Sequence, residues 1–137
     1  YSNRVSKEKK SFDTNDFDIS FARGLSLEDG VTTLTDFTAS VIAQELTSII
    51  IESNQKIKEV LICGGGRKNK ILLKKIKENF CRDISLKLID DYKVNGDFVE
   101  SQAFAYLAVR SLMDLPISFP GTTGCIHPSL GGKYIKY

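Results

Sequence analysis

Glu59-Val60-Leu61-Ile62-Cys63-Gly64-Gly65-Gly66-Arg67-Lys68-Asn69 decides how the rest of the chain is read. Val60 to Cys63 is a continuous apolar run bounded by a breaker, the pattern of a short strand covered on both faces. Three glycines in succession let the backbone turn sharply and show its N–H groups with no Cβ in the way. From Lys70 a helical pattern begins, with Ile71, Leu72, Leu73, Ile76 and Phe80 able to form one apolar stripe. A strand, a glycine corner and a helix start place open amides and the positive end of a helix dipole at the carboxyl end of a sheet. That arrangement suits a phosphate or a nucleotide. Glycines that merely turn the corner remain the competing account.

A dinucleotide fingerprint is a third reading. Gly64 and Gly66 fit its first two glycines, and Asp90 and Asp91 fall where its acidic residue belongs. Asn69 occupies the place of the third glycine, and a side chain there would push helix and strand apart.

Outward from this stretch, the chain alternates helix and strand. Ser26 precedes Leu27-Glu28-Asp29 as an N-cap followed by first-turn acids. Leu34, Phe37, Val41, Ile42, Leu46, Ile49 and Ile50 then recur at helical spacing, predicting a helix from about Leu27 to Ser53 with Gly30 tolerated in its first turn. Ser85 to Ile89 alternates and ends in Asp90-Asp91, a second strand parallel to the first. Asp97 reads as the N-cap of a third helix, with Glu100 reaching back to its amide. Ala103, Ala105 and Ala108 would let that helix pack closely on the sheet. Pro116, Pro120, Gly121, Gly124 and Pro128 break regular structure beyond it, and Gly131 to Ile135 forms a short tail. The fold class is therefore α/β, a short parallel sheet covered by helices. Two parallel strands alone make a poor free-standing sheet. Further strands must come from the N-terminal residues, from a segment outside the chain, or from a second copy in a homodimer.

The totals exclude more than they assign. The 137 residues suffice for one domain, and a net charge of +2 gives no case for nucleic acid. Cys63, Cys81 and Cys125 lie far apart, and with the single His127 they match no zinc spacing. Free thiols in a reducing cytoplasm are the simplest account of them. No apolar run approaches bilayer length, so no membrane partner is expected. Asp13 to Phe17 carries acids but lacks the glycine a calcium loop needs at its sixth position. Residues 1–24 read as an irregular solvated segment held by Phe12 and Phe17, and residues 25–137 as one lobe. The chain opens on Tyr1, and we expect a processed product or a piece of something longer.

Three segments together resemble the C-terminal part of the 1,6-anhydro-N-acetylmuramic acid kinases. They are Thr33 to Ala39 running into Ile42-Ala43; Val60 to Gly66 with Asn69; and Gly96 to Arg110, followed by Pro116, Pro120 and Thr123-Gly124. Lys10-Ser11 with Asp13, Asn15, Asp16 and Phe17 is a fainter match. The resemblance implies a lobe of an actin-like ATPase (ribonuclease H-like) fold, with ATP and Mg²⁺ as cofactors. It implies phosphorylation of the anhydro amino sugar while water opens its bridge, giving N-acetylmuramic acid 6-phosphate in cell-wall recycling. Gly64, Gly65, Gly66 and Asn69 would border the nucleotide, and Glu100 would hydrogen-bond the sugar. The family's phosphate-holding Gly/Ser/Thr loop and its catalytic aspartate have no counterpart in this chain, so no catalytic residue and no metal ligand are assigned. A missing N-terminal lobe is the expected partner. Val99 and Ser101 stand beside Glu100 where relatives usually carry Lys and Ala. The rival readings are a non-catalytic interaction module and a dinucleotide-binding half-domain.

Overall fold

The structure is a computed structural model, and it describes residues 14–53, 56–80, 84–133 and 135. Phe12, Asp13, Cys81 and the Lys10-Ser11 pair lie outside the described residues. Two compact units are present, residues 20–99 in one and residues 100–137 with the N-terminal 19 residues in the other.

In the first unit, α1 runs Leu27–Glu52, β1 Glu59–Ile62, α2 Lys70–Asn79 and β2 Ser85–Leu88. Each expected element is present, with its ends displaced by a residue or so. The start of α1 is built as its sequence predicts: the Ser26 hydroxyl accepts the Asp29 N–H at 3.1 Å and donates to the Asp29 carboxylate at 2.9 Å. Gly30 donates its N–H to the Ser26 carbonyl at 2.8 Å, an ordinary first-turn bond.

The deepest residues of α1 are not the large ones of its apolar stripe. Ala39 and Ala43 are buried to 0% and 1% exposure, and Ile49 of the expected stripe is exposed. Small side chains let α2 approach closely, with Ile76 buried opposite and cross-links from Lys75 to Asp36 and from Asn79 to Ser40. The most apolar part of α1 reaches a mean hydropathy of 1.2 over a helix 26 residues long. The expectation that no stretch attains bilayer length is corrected to that extent. The cause is composition: Leu, Ile, Val and Ala fill the helix between widely spaced acids. Three of its residues, Ala39, Ala43 and Ile50, are buried.

β1 and β2 are parallel, in the register Glu59↔Ser85 to Ile62↔Leu88. They are joined through α2, which makes the expected β–α–β unit. The sheet is not covered on both faces as the apolar run implies: Leu61 stays 45% exposed while Val60 and Ile62 are half-buried. Among the described residues the sheet has two strands. At the sheet's opening, Lys87 pairs with Glu59 at 2.8 Å and Tyr92 donates its hydroxyl to the same carboxylate.

In the second unit, α3 runs Val99–Leu112 and α4 Pro120–Thr123. Arg110 organises the chain that follows α3. Its Nε donates to the Pro116 carbonyl at 2.8 Å, and its guanidinium lies over the Tyr106 and Phe119 rings at 5.7 and 5.8 Å. Ser118 and Ser129 form an antiparallel bridge, and the Ser111 hydroxyl donates to the Gly131 carbonyl at 2.6 Å. Ala103, Ala105 and Ala108 are exposed.

Candidate functional site: the glycine turn

The corner after β1 is made by Gly64 alone. Its φ is +76°, a left-handed conformation that other residues adopt only with strain. Gly65 opens a short 3₁₀ turn, Gly65–Lys68, and its backbone needs no such freedom. A Cβ added at Gly65 would meet nothing within 4 Å, and one at Gly66 would make an ordinary contact with Leu72 at 3.8 Å. The corner account therefore explains one glycine of three. Gly65 and Gly66 are exposed, immediately before the N-terminus of α2.

Asn69 is the N-cap of α2. Its side-chain oxygen accepts the Ile71 and Leu72 N–H groups at 3.1 and 3.0 Å. Only the nitrogen end of the carboxamide is left to face a ligand. An apolar cleft lined by Ile42, Leu46, Val60, Leu72 and Leu73 reaches Gly66 from the core side.

The turn is held from beneath by Arg67, which is 7% exposed and the one buried charged side chain among the described residues. Its Nε and Nη2 donate to the two oxygens of Asp90 at 2.7 and 3.0 Å, a bidentate pair. Its Nη1 donates to Asp97 at 2.7 Å and to the Gly64 carbonyl at 3.0 Å. Gly96 closes the ring, giving its N–H to Asp90 at 3.3 Å and accepting the Gly64 N–H at 3.0 Å. A Cβ on Gly96 would lie 2.5 Å from the Arg67 Nε, so only glycine admits the guanidinium here.

The charges at this ring are settled. Its hydrogen bonds to Asp90 first and then to Asp97 raise the Arg67 guanidinium further above its already high range. Arg67 in turn holds the Asp90 carboxyl below the usual carboxylate range. Asp97 is held well below it, by Arg67 first and then by Lys68 at 2.8 Å. Arg67 is thus neutralised and is no phosphate ligand, and both carboxylates are committed. Asp90 already accepts two hydrogen bonds from Arg67 and one from Gly96, which weakens one leg of the dinucleotide reading.

Asp97 corrects the expected cap of α3. Its carboxylate goes to Arg67 and Lys68, and the helix begins two residues later, at Val99. Two cationic partners bind a carboxylate more strongly than a single amide does. Glu100 lies in the exposed first turn of α3 and belongs to the unit of residues 100–137, whereas the glycine turn belongs to the unit of residues 20–99. The residue-by-residue reading passed over Arg67. The available signal was an arginine beside glycines, with acids at the end of the next strand and in the loop after it.

A strand, an open glycine turn and a capped helix form the α/β class of unit that receives phosphates at helix N-termini. Comparison with known proteins narrows the class. The family model for anhydro-N-acetylmuramic acid kinase matches residues 8–136, and the chain belongs to that family. The anhydro-N-acetylmuramic acid kinase of Pelagibacter ubique is 53% identical over 137 residues, covering 99% of this chain and 36% of the relative. Those of Zymomonas mobilis and Rhizorhabdus wittichii are each 44% identical, over 90% of this chain and 32% of the relative. The chain thus spans about a third of the length of the relatives it matches.

Proposed function

We propose that the intact protein phosphorylates 1,6-anhydro-N-acetylmuramic acid with ATP as water opens the anhydro bridge, and that this chain is its C-terminal third. Residues 25–137 then form the C-terminal lobe of an actin-like ATPase fold in the cytoplasm. Gly64, Gly65, Gly66 and Asn69 border the nucleotide, and Glu100 hydrogen-bonds the sugar. Phosphoryl transfer depends on positioning and on neutralising the phosphates. The carboxylates nearest the turn, Asp90 and Asp97, are already spent on Arg67 and Lys68. On this reading the groups that hold Mg²⁺ and activate water belong to an N-terminal lobe outside this chain, and this chain alone is inactive.

One observation carries the nucleotide side. Gly65 has neither a positive φ nor a neighbour that would exclude a Cβ, so its own fold leaves the position free for any small residue. A bare backbone in open space beside a helix N-terminus suits a ligand that must come close. Gly65→Val in the intact protein tests this. The variant should keep its melting temperature and lose saturable ATP·Mg²⁺ binding in a calorimetric titration. Retained affinity in the folded variant would return the glycines to corner-making.

A non-catalytic interaction module stays in view because α3 exposes Phe104, Tyr106, Val109 and Leu112. An intact protein with this apolar helix covered and full kinase activity would dispose of that reading.

A further inference from the structure

We propose that Arg67 is a positioning residue for the nucleotide turn: it fixes the conformation of Gly64–Gly66 by joining the Gly64 carbonyl to Asp90 and Asp97. The proposal rests on the nucleotide reading of the turn and adds to it the part that sets the turn's shape.

The geometry points to this in three ways. First, the contacts form a closed ring. Arg67 donates to the Gly64 carbonyl at 3.0 Å and to Asp90 at 2.7 and 3.0 Å, Asp90 accepts the Gly96 N–H at 3.3 Å, and Gly96 accepts the Gly64 N–H at 3.0 Å. Both backbone polar groups of Gly64 are thereby fixed, at the residue whose φ of +76° sets the direction in which Gly65 and Gly66 emerge. Glycine is the residue least able to hold such a conformation by itself, so an external clamp has work to do. Second, only a guanidinium makes these bonds together, since its planar fork reaches a bidentate carboxylate, a second carboxylate and a carbonyl from one side chain. A lysine has the charge and lacks the fork. Third, Arg67 is buried beneath the turn and its charge is matched by two carboxylates, so it acts through the backbone and does not meet phosphate itself.

A purely structural ion pair would influence folding and nothing else. The discriminating measurement is steady-state kinetics of the intact kinase, with ATP and the anhydro sugar varied separately, alongside thermal melting of each variant. Arg67→Lys should raise KM for ATP by about tenfold to a hundredfold, the scale on which small misplacement of binding groups acts. The sugar KM should not move, and kcat should change less than KM for ATP. Gly96→Ala drives a Cβ into the guanidinium with Arg67 still present, and should give the same split. A folded Arg67→Lys with unchanged KM for ATP overturns the proposal. If both of those variants fail to fold, Asp97→Asn decides, since it removes one arm of the clamp and leaves the Asp90 fork. A raised KM for ATP there supports positioning, and an unchanged one overturns it. Gly65→Val runs in parallel: if it too leaves ATP kinetics unaltered, the nucleotide reading has failed. If Gly65→Val alone weakens ATP, only the positioning role has.

Discussion

Two regions of this chain solve the burial problem differently. In residues 20–99, Ala39, Ala43, Ile50, Ile76 and Ile84 are buried, and Arg67, the one buried charge among the described residues, donates to two carboxylates and a carbonyl. In residues 100–137, no described residue is buried, and α3 exposes Phe104, Tyr106, Val109 and Leu112, with Met113 exposed just beyond it. Local order there comes from Arg110 and Ser111 bonding the chain that follows the helix. The first region carries its own apolar core. The second has helix-forming sequence without a core to match, which is expected of a piece whose apolar face is finished by protein outside it.

The sharpest way to break this comparison is to delete equivalent bulk from each region. Ile76→Ala removes a buried side chain from the α1–α2 contact and should cost about 2–4 kcal/mol in urea unfolding of the chain. Leu107→Ala, at a half-buried position of α3, should cost under about 1 kcal/mol. Equal losses would mean that α3 is packed as tightly as the α1–α2 contact.

The same contrast marks how much could be read from sequence. The limits of α1, the Ser26 cap, both strands and the start of α2 at Asn69 are set by residues within one turn or one strand of each other, so local patterning suffices for them. Arg67 is different, because its partners Asp90 and Asp97 lie 23 and 30 residues further on. Nothing local distinguishes it from the lysines beside it. Asp97 reads as a helix cap in sequence for the same reason: the nearest amide is local, and its stronger cationic partners Arg67 and Lys68 lie 30 and 29 residues away. The family and the role of Glu100 came from resemblance alone. The three glycines look equivalent in sequence, and only backbone angles separate Gly64 from Gly65.

Acid should sharpen the comparison next. Asp90 and Asp97 have folded-state pKa values below their unfolded ones, held there first by Arg67. Folding therefore favours the ionised carboxylates. Their contribution is complete above the unfolded value of about 4 and is lost as pH falls through the depressed folded values. The unfolding midpoint of residues 20–99 should stay level from neutral pH to about 5 and drop below about 4. Asp97→Asn should lower the midpoint at neutral pH and flatten the acid limb. An acid limb of unchanged steepness in that variant would show that other carboxylates govern it. α3, which takes no part in this ring, should show no matching acid transition by residue-resolved hydrogen exchange.

The smallest effect bears on Asn69, where capping and ligand contact compete for one side chain. Its oxygen is engaged by the Ile71 and Leu72 amides, so Asn69→Ala should cost about 1 kcal/mol whatever the residue's other role. Asn69→Asp separates the two. A carboxylate keeps the capping acceptor and is favoured at a helix N-terminus, so stability should change by only a few tenths of a kcal/mol. It replaces the carboxamide nitrogen with an oxygen and adds a negative charge beside the glycine turn. If that nitrogen faces the nucleotide, ATP·Mg²⁺ affinity measured by titration should fall by more than tenfold in a variant as stable as the parent, a loss above about 1.4 kcal/mol. Undiminished affinity would confine Asn69 to the cap and leave Gly65 and Gly66 as the turn's whole contribution to the nucleotide.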